Sequence, residues 1–130
     1  MAKIVILGAG ISGHTAAAHL RRKLSKEHEV LVVSPNSNYQ WVPSNIWVGI
    51  GKMTAKDVIF PLTPLYKRKG IGYKQAKVVS FHPEGSSEAT KPHVQIEYVA
   101  GEEKGRSEVV DYDYLINATG PKLAFDLTPG

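Results

Sequence analysis

With 130 residues, a net charge of +4, no cysteine, and 42% hydrophobic against 22% charged residues, the chain has the balance of one ordinary folded domain around one core. The lack of cysteine excludes a disulfide framework, a cysteine-ligated metal and a thiol redox centre within these residues. No apolar run is long enough to span a bilayer and no signal peptide is recognisable, so a cytoplasmic protein is the expectation.

Lys3-Ile4-Val5-Ile6-Leu7 is a short apolar run that reads as a buried strand. It breaks into Gly8-Ala9-Gly10-Ile11-Ser12-Gly13, a G-x-G-x-x-G motif, and then into an alanine-rich stretch. The pattern predicts a helix from residue 13 to residue 24 or 26, with Ala17, Leu20 and Leu24 on one apolar stripe. Strand, glycine turn and helix in that order form the setting in which this motif binds a dinucleotide. Gly8 permits the tight turn, Gly10 keeps a Cβ away from a pyrophosphate, and Gly13 lets the helix pack closely. The unpaired N–H groups of the first helical turn and the positive end of the helix dipole then face the phosphates, with the Ser12 hydroxyl nearby.

Residues 30–33 form a second buried run, ended by the turn cluster Ser34-Pro35-Asn36-Ser37-Asn38. This completes a β-α-β unit, parallel and right-handed by the usual chirality. At the end of that strand an acidic residue ordinarily takes the ribose hydroxyls, and Ser34 stands there instead. Residues 34–39 contain no Arg or Lys, which argues against the 2′-phosphate of NADP. Ser34 and Asn36 are left to bond the ribose without a carboxylate.

Residues 39–51 are rich in aromatics and glycine without a clean period, and Trp41 and Trp47 are expected in the core. A helix is predicted over 63–69, ended by Gly70, followed by two short strands at 71–73 and 76–81 and a loop at 83–90. Residues 94–99 alternate apolar and polar, the mark of a half-exposed antiparallel strand. The charged turn at 101–105 leads to a returning strand at 107–111. Residues 112–118 are the last predicted strand, reaching Thr119-Gly120-Pro121, and residues 122–130 show no regular pattern.

The basic clusters Arg21-Arg22-Lys23 and Lys67-Arg68-Lys69 fall where helices should end and complement their dipoles. No aromatics interleave with them, so a nucleic-acid partner is not expected. The five histidines are scattered, without metal-ligand spacing, and read as exposed or hydrogen-bonded structural residues. Asp111 and Asp113 are too close together to work as an acid–base pair, so neither a catalytic residue nor a metal site is assigned.

The opening motif and the late segment Tyr112-Asp113-Tyr114-Leu115-Ile116-Asn117-Ala118-Thr119-Gly120 together resemble the FAD-binding half of the two-dinucleotide-domain flavoproteins, the pyridine nucleotide-disulfide oxidoreductase superfamily. The second signature of that group is an apolar strand ending in Ala-Thr-Gly, preceded by an antiparallel excursion like the one at 94–111. The fold this implies is α/β: a Rossmann-like parallel sheet with an inserted antiparallel hairpin or meander. Ser34-Pro35-Asn36, Tyr39, Trp41-Val42-Pro43, the turn through residues 57–61 and the run ending Ala-Thr-Gly-Pro-Lys-Leu are most similar to sulfide:quinone reductases. Flavocytochrome c sulfide dehydrogenases and type-II NADH:quinone oxidoreductases are the neighbouring branches.

The resemblance implies FAD as cofactor, with Gly8, Gly10, Ile11, Ser12 and Gly13 on the pyrophosphate and Ser34 and Asn36 by the adenosine ribose. It further implies the Val78 backbone at the adenine, Pro43 near the isoalloxazine, and Ala118, Thr119 and Gly120 along the cofactor channel. The plainer readings of Val78 and Pro43 are core packing and a rigid turn. Flavin-facing cysteines, a second dinucleotide domain and contacts to quinone or membrane belong to later parts of such proteins. The expectation is therefore an N-terminal part of an FAD-binding domain, inactive alone, from an oxidoreductase using sulfide and quinone. NADH in place of sulfide is the enzymatic alternative, and an NAD-sensing module is the non-enzymatic one.

Overall fold

Alternation along the first strand sets the architecture. In β1 (Lys3–Leu7), Ile4 and Ile6 enter one core while Val5 and Leu7 enter another, so the sheet is covered on both faces. The computed structural model describes residues 1–121 and Leu127; the reading of 122–130 as patternless, including Lys122 and Leu123 of the signature run, lies largely outside the described residues.

α1 (Ile11–Lys23) and β2 (Glu29–Ser34) complete the parallel unit, with Lys3 opposite Glu29 and Leu7 opposite Val33. The helix begins two residues before the expected Gly13, because Gly10 already takes the extended N-cap conformation and the His14 N–H bonds the Gly10 carbonyl at 2.9 Å. It stops at Lys23, where Leu24 turns extended. Arg21 holds that end, its guanidinium donating to the carbonyls of His28 (2.6 Å), Leu24 (3.1 Å) and Ser25. Ala17 is fully buried, and Leu20 and Leu24 pack partly against the same core.

β3 (Asn38–Gln40) and β4 (Ile59–Pro61) form a small antiparallel ribbon. Between them lie a 3-10 turn at Val42–Ser44, α2 (Asn45–Gly49) and α3 (Ala55–Val58), the last started by a reciprocal Thr54–Asp57 capping box. Trp41 and Trp47 are half exposed here, at 50% and 51%, which corrects their expected place in the core. α2 buries no residue, and Ser44 and Val58 supply the buried positions of the segment instead. α4 (Leu62–Lys69) then seats Leu62 and Tyr66, both fully buried, against Ile4, Ile6 and Val32.

β5 (Gly72–His82) corrects the expectation of two short strands. Its first part pairs in parallel with β2, Ser34 opposite Gln75, and the rest pairs antiparallel with β6 (His93–Tyr98), with a register shift between Val78 and Ser80. One strand thus serves two partners, and no turn residue interrupts it. β6 and β7 (Ser107–Asp111) carry Val94, Ile96, Tyr98 and Val110 onto Val5, Leu7, Leu31 and Val33, covering the second face. Each such buried aliphatic side chain is worth about 1.5–3 kcal/mol in apolar transfer. β8 (Tyr114–Asn117) returns parallel to β1, giving the order β7-β6-β5-β2-β1-β8.

A polar network ties the antiparallel layer together. Lys74 Nζ donates to Tyr98 Oη at 2.9 Å and to Glu108 at 3.0 Å, and Tyr98 Oη donates to Glu108 Oε2 at 2.5 Å. Burial works against the Glu108 charge, but the Tyr98 and Lys74 bonds and the nearby cations outweigh it and hold the carboxyl below its usual value. A depressed carboxyl stabilises the fold above its unfolded pKa, and that contribution is lost as pH falls through the folded value. Glu108→Gln is expected to cost about 1–2 kcal/mol at pH 7. Urea unfolding checks this, with the gap between parent and variant narrowing as pH falls through the folded pKa of Glu108.

Candidate functional site

The carboxyl end of β1 lies between two parallel neighbours, and the glycine turn is stitched to both. Gly8 N–H donates to the Val33 carbonyl at 2.8 Å, and Ala118 N–H donates to the Leu7 carbonyl at 2.8 Å. β2 follows on one edge of β1 while β8 occupies the other, so the strand order reverses at β1. Ligands of open α/β sheets sit outside the carboxyl ends of strands at such a point.

A cavity of about 520 Å³ opens there. The glycine turn lines it with Gly8, Gly10, Ile11 and Ser12, and β2 brings Ser34 and Asn36. Val78 enters from β5, and Ala118, Thr119 and Gly120 follow β8 into it. Segments more than a hundred residues apart thus meet as anticipated. Gly13 and Pro43 do not line the cavity; Gly13 lies beneath the turn, and Val42 takes the place beside Pro43.

The three glycines separate by what a Cβ would meet. On Gly8, which has φ +97°, it would stand 2.3 Å from the Ala118 carbonyl oxygen. On Gly13 it would stand 2.0 Å from the Gly8 carbonyl oxygen, so the close packing expected of Gly13 is against the turn itself. On Gly10, φ −74°, it would meet nothing within 4 Å. The protein's own packing therefore requires glycine at 8 and 13 and leaves 10 free, where the space that a Cβ would take is open and the residue lines the cavity. A group that rests on the backbone at residue 10 fits this cradle.

Electrostatics favour an anion. The N–H groups of Ile11, Ser12 and Gly13 precede the first intrahelical bond, the N-cap is a glycine with no side chain to cap them, and the first turn holds no acidic residue. Among the described residues Lys77 is the one charged side chain lining the cavity, and its Nζ pairs with Glu97 Oε1 at 2.9 Å. Ser34 is buried and its Oγ accepts the Asn36 N–H at 3.3 Å, which shapes the turn and leaves its own O–H as a donor. Tyr73 Oη donates to the Asn36 carbonyl at 2.5 Å, and Gln75 Nε2 donates to the Pro35 carbonyl at 3.2 Å, so β5 braces this corner. Burial of Tyr73 raises its hydroxyl to about 12, keeping it a neutral donor. Thr119 is held by Asn117, whose Oδ1 accepts from Thr119 Oγ1 at 2.9 Å.

Lys77, Val42, Ala76 and the bracing residues Tyr73, Gln75 and Asn117 were not read from sequence. Lys77 corrects the argument about basic residues, which looked only at 34–39: the pairing of Ser34 with Gln75 brings a lysine into the same cavity. Its partner Glu97 offsets that charge.

Residues 2–130 match the family of pyridine nucleotide-disulphide oxidoreductases. The chain belongs to that family. Among members of the pyridine nucleotide-disulphide oxidoreductases and their kin, it is 32% identical over 130 residues to external alternative NAD(P)H-ubiquinone oxidoreductase B4, mitochondrial, of Arabidopsis thaliana, covering 98% of this chain and 21% of that protein. It is 29% identical over 126 residues to the sulfide-quinone reductase of Aquifex aeolicus, covering 96% of this chain and 26% of that protein. The X-ray structure of the sulfide:quinone oxidoreductase from Aquifex aeolicus superposes with a TM-score of 0.75 at 25% identity, over 96% of this chain and 26% of that one. The chain thus spans about a fifth to a quarter of the length of these relatives. The α/β fold with a mostly parallel sheet is the one these oxidoreductases share.

Proposed function

We propose that this chain holds the ADP moiety of FAD, with the diphosphate on the glycine turn, as part of a flavin-dependent oxidoreductase. The observation that carries the reading is Gly10: a Cβ there would meet nothing of the protein within 4 Å, and the residue lines the cavity where the amino end of α1, the Ser34 corner and the Thr119 strand end converge. The N–H groups of Ile11 and Ser12 bind the phosphates, Ser34 and Asn36 orient the ribose, Val78 and Ala76 border the adenine, and Thr119 lies along the channel toward the flavin. When bound, the flavin supplies two-electron chemistry, while the chain supplies position and a cavity that, among the described residues, no carboxylate lines. In a protein of the relatives' length, sulfide is the proposed donor and quinone the acceptor, supported by the Aquifex aeolicus relative and its structure. The Arabidopsis thaliana relative supports the second reading, NAD(P)H as donor.

FAD and ADP added to the isotope-labelled chain are expected to shift the amide resonances of residues 8–13, 34–36, 78 and 118–120, with riboflavin shifting none of them. If millimolar FAD leaves those amides in place, or NAD moves them while FAD does not, the reading is lost. In the flavin-loaded protein, bleaching of the flavin absorption by sulfide and not by NADH selects the first donor, and the reverse selects the second.

A further inference from the structure

A second concave site lies on the outer side of α1, away from the glycine-turn cavity and sharing none of its lining residues. It has a volume of about 470 Å³ and is lined by His14, Thr15, His19, Arg21 and Arg22 of α1 and by Lys69 at the end of α4. Those residues include three fixed cations and no carboxylate, and among the described residues none of the three pairs with an acid. Helix-dipole complementarity accounts for Arg21, which is spent on the carbonyls at the end of α1. Arg22 and Lys69 also stand in the last turns of α1 and α4, and the placing of the two helix ends brings them together with two imidazoles around one hollow.

His14 shows what the hollow does to its lining. The ring is half buried, its Nδ1 3.1 Å from Tyr66 Oη, and it is met by Tyr39 of β3 (centroids 4.6 Å), Phe60 of β4 (5.9 Å) and Tyr66 of α4 (5.6 Å). Burial first and the Lys69 charge second hold its pKa below the ordinary value. An anion in the hollow reverses the second effect. In the protonated ring both nitrogens are donors, and Nδ1 lies beside Tyr66 Oη. Arg22, whose NH2 lies 3.2 Å from His19 Nδ1, presents a planar fork of donors, and Lys69 adds a mobile point charge. A guanidinium fork, an ammonium point charge and a hydroxyl from Thr15 together offer donors in several directions, which suits the tetrahedral oxygens of a phosphate.

We propose that the groove between α1 and the end of α4 binds a phosphate group, with Arg22 and Lys69 as its charge partners and Thr15 and His14 as further donors. The phosphate belongs to a soluble phosphoester or to a lipid headgroup. This site is independent of the flavin reading.

The test follows the imidazole resonances of His14 in the 130-residue chain during titration with inorganic phosphate, against chloride at matched ionic strength. Phosphate is expected to move His14 saturably and to raise its titration midpoint by about one pH unit. Arg22→Ala and Lys69→Ala are each expected to weaken that response roughly tenfold with the rest of the spectrum unchanged, the loss of one charge-assisted bond. Gly10→Val keeps the response if the groove is the site. Equal effects of phosphate and chloride, an unchanged response in both charge variants, or its loss in Gly10→Val overturns the proposal. Co-sedimentation with vesicles of phosphatidic acid in phosphatidylcholine, abolished by Lys69→Ala, assigns the phosphate to lipid. A response to free phosphate without vesicle binding assigns it to a soluble ester.

Discussion

Gly10→Ala and Gly10→Val are expected to fold as the parent does and to lose nucleotide affinity in that order, by roughly tenfold or more for valine, equivalent to about 1.4 kcal/mol. Residue 10 has an extended backbone that any residue adopts, φ −74° and ψ −166°, and a Cβ there touches nothing of the protein within 4 Å. At an N-cap, glycine and alanine differ by no more than about 1 kcal/mol. On the proposed reading, the side chain added to residue 10 takes up space that the diphosphate needs in order to reach the N–H groups of residues 11 and 12. Isothermal titration with ADP, beside urea unfolding of the same samples, separates the two effects. Equal affinity in Gly10→Val and the parent removes the diphosphate from the turn. A large loss of stability in Gly10→Ala shows that the glycine serves packing.

The local parts of the site were legible because their signals are local. The run Lys3–Leu7 followed by the spaced glycines carries its strand, turn and helix within a few residues, and each glycine's role follows from backbone geometry. The meeting of Thr119 with that turn was legible only through resemblance, since nothing in residues 114–117 states which strand they pair with. Non-local relations stayed hidden. β5 reads as two strands because Lys74 and Gln75 interrupt its apolar residues, yet Lys74 is held by Tyr98 and Glu108 and Gln75 by the Pro35 carbonyl. Lys77 stands 43 positions from Ser34 and reaches the same cavity through sheet adjacency. Trp41 and Trp47 misled for a different reason. Aromatic rings are buried on average, but α2, which carries Trp47, buries no residue, and Trp41 caps the 3-10 turn before it, so both rings stay half exposed.

The hidden relations sit where the site gains its selectivity. An uncharged Ser34 and a lysine neutralised by Glu97 leave that corner of the cavity without net charge, so the helix end and its N–H groups provide the main attraction for an anion. On the proposed reading, phosphate is therefore the part of the ligand recognised most strongly, and ADP is the minimal probe.

Gly13→Ala is expected to destabilise the chain by about 3 kcal/mol or more, a large part of the total for a domain of this size. Its Cβ would lie 2.0 Å from the Gly8 carbonyl oxygen, inside any van der Waals contact, and 3.4 Å from the Ala118 Cβ. Neither neighbour can yield cheaply. Gly8 is fixed by its N–H bond to Val33, and Ala118 by its N–H bond to Leu7, so relief requires α1 to lift from the turn. That movement would also pull Ala17 out of the core it shares with Ile4 and Ile6. Gly8→Ala meets the same network from the other side, adding a left-handed φ of +97° to an overlap at 2.3 Å with the Ala118 carbonyl oxygen. Urea unfolding by circular dichroism should place both variants far below the parent, with Gly10→Ala close to it. A Gly13→Ala chain as stable as the parent means that the turn, the helix and the β8 strand end are not locked together, and the convergence that builds the cavity then needs another cause.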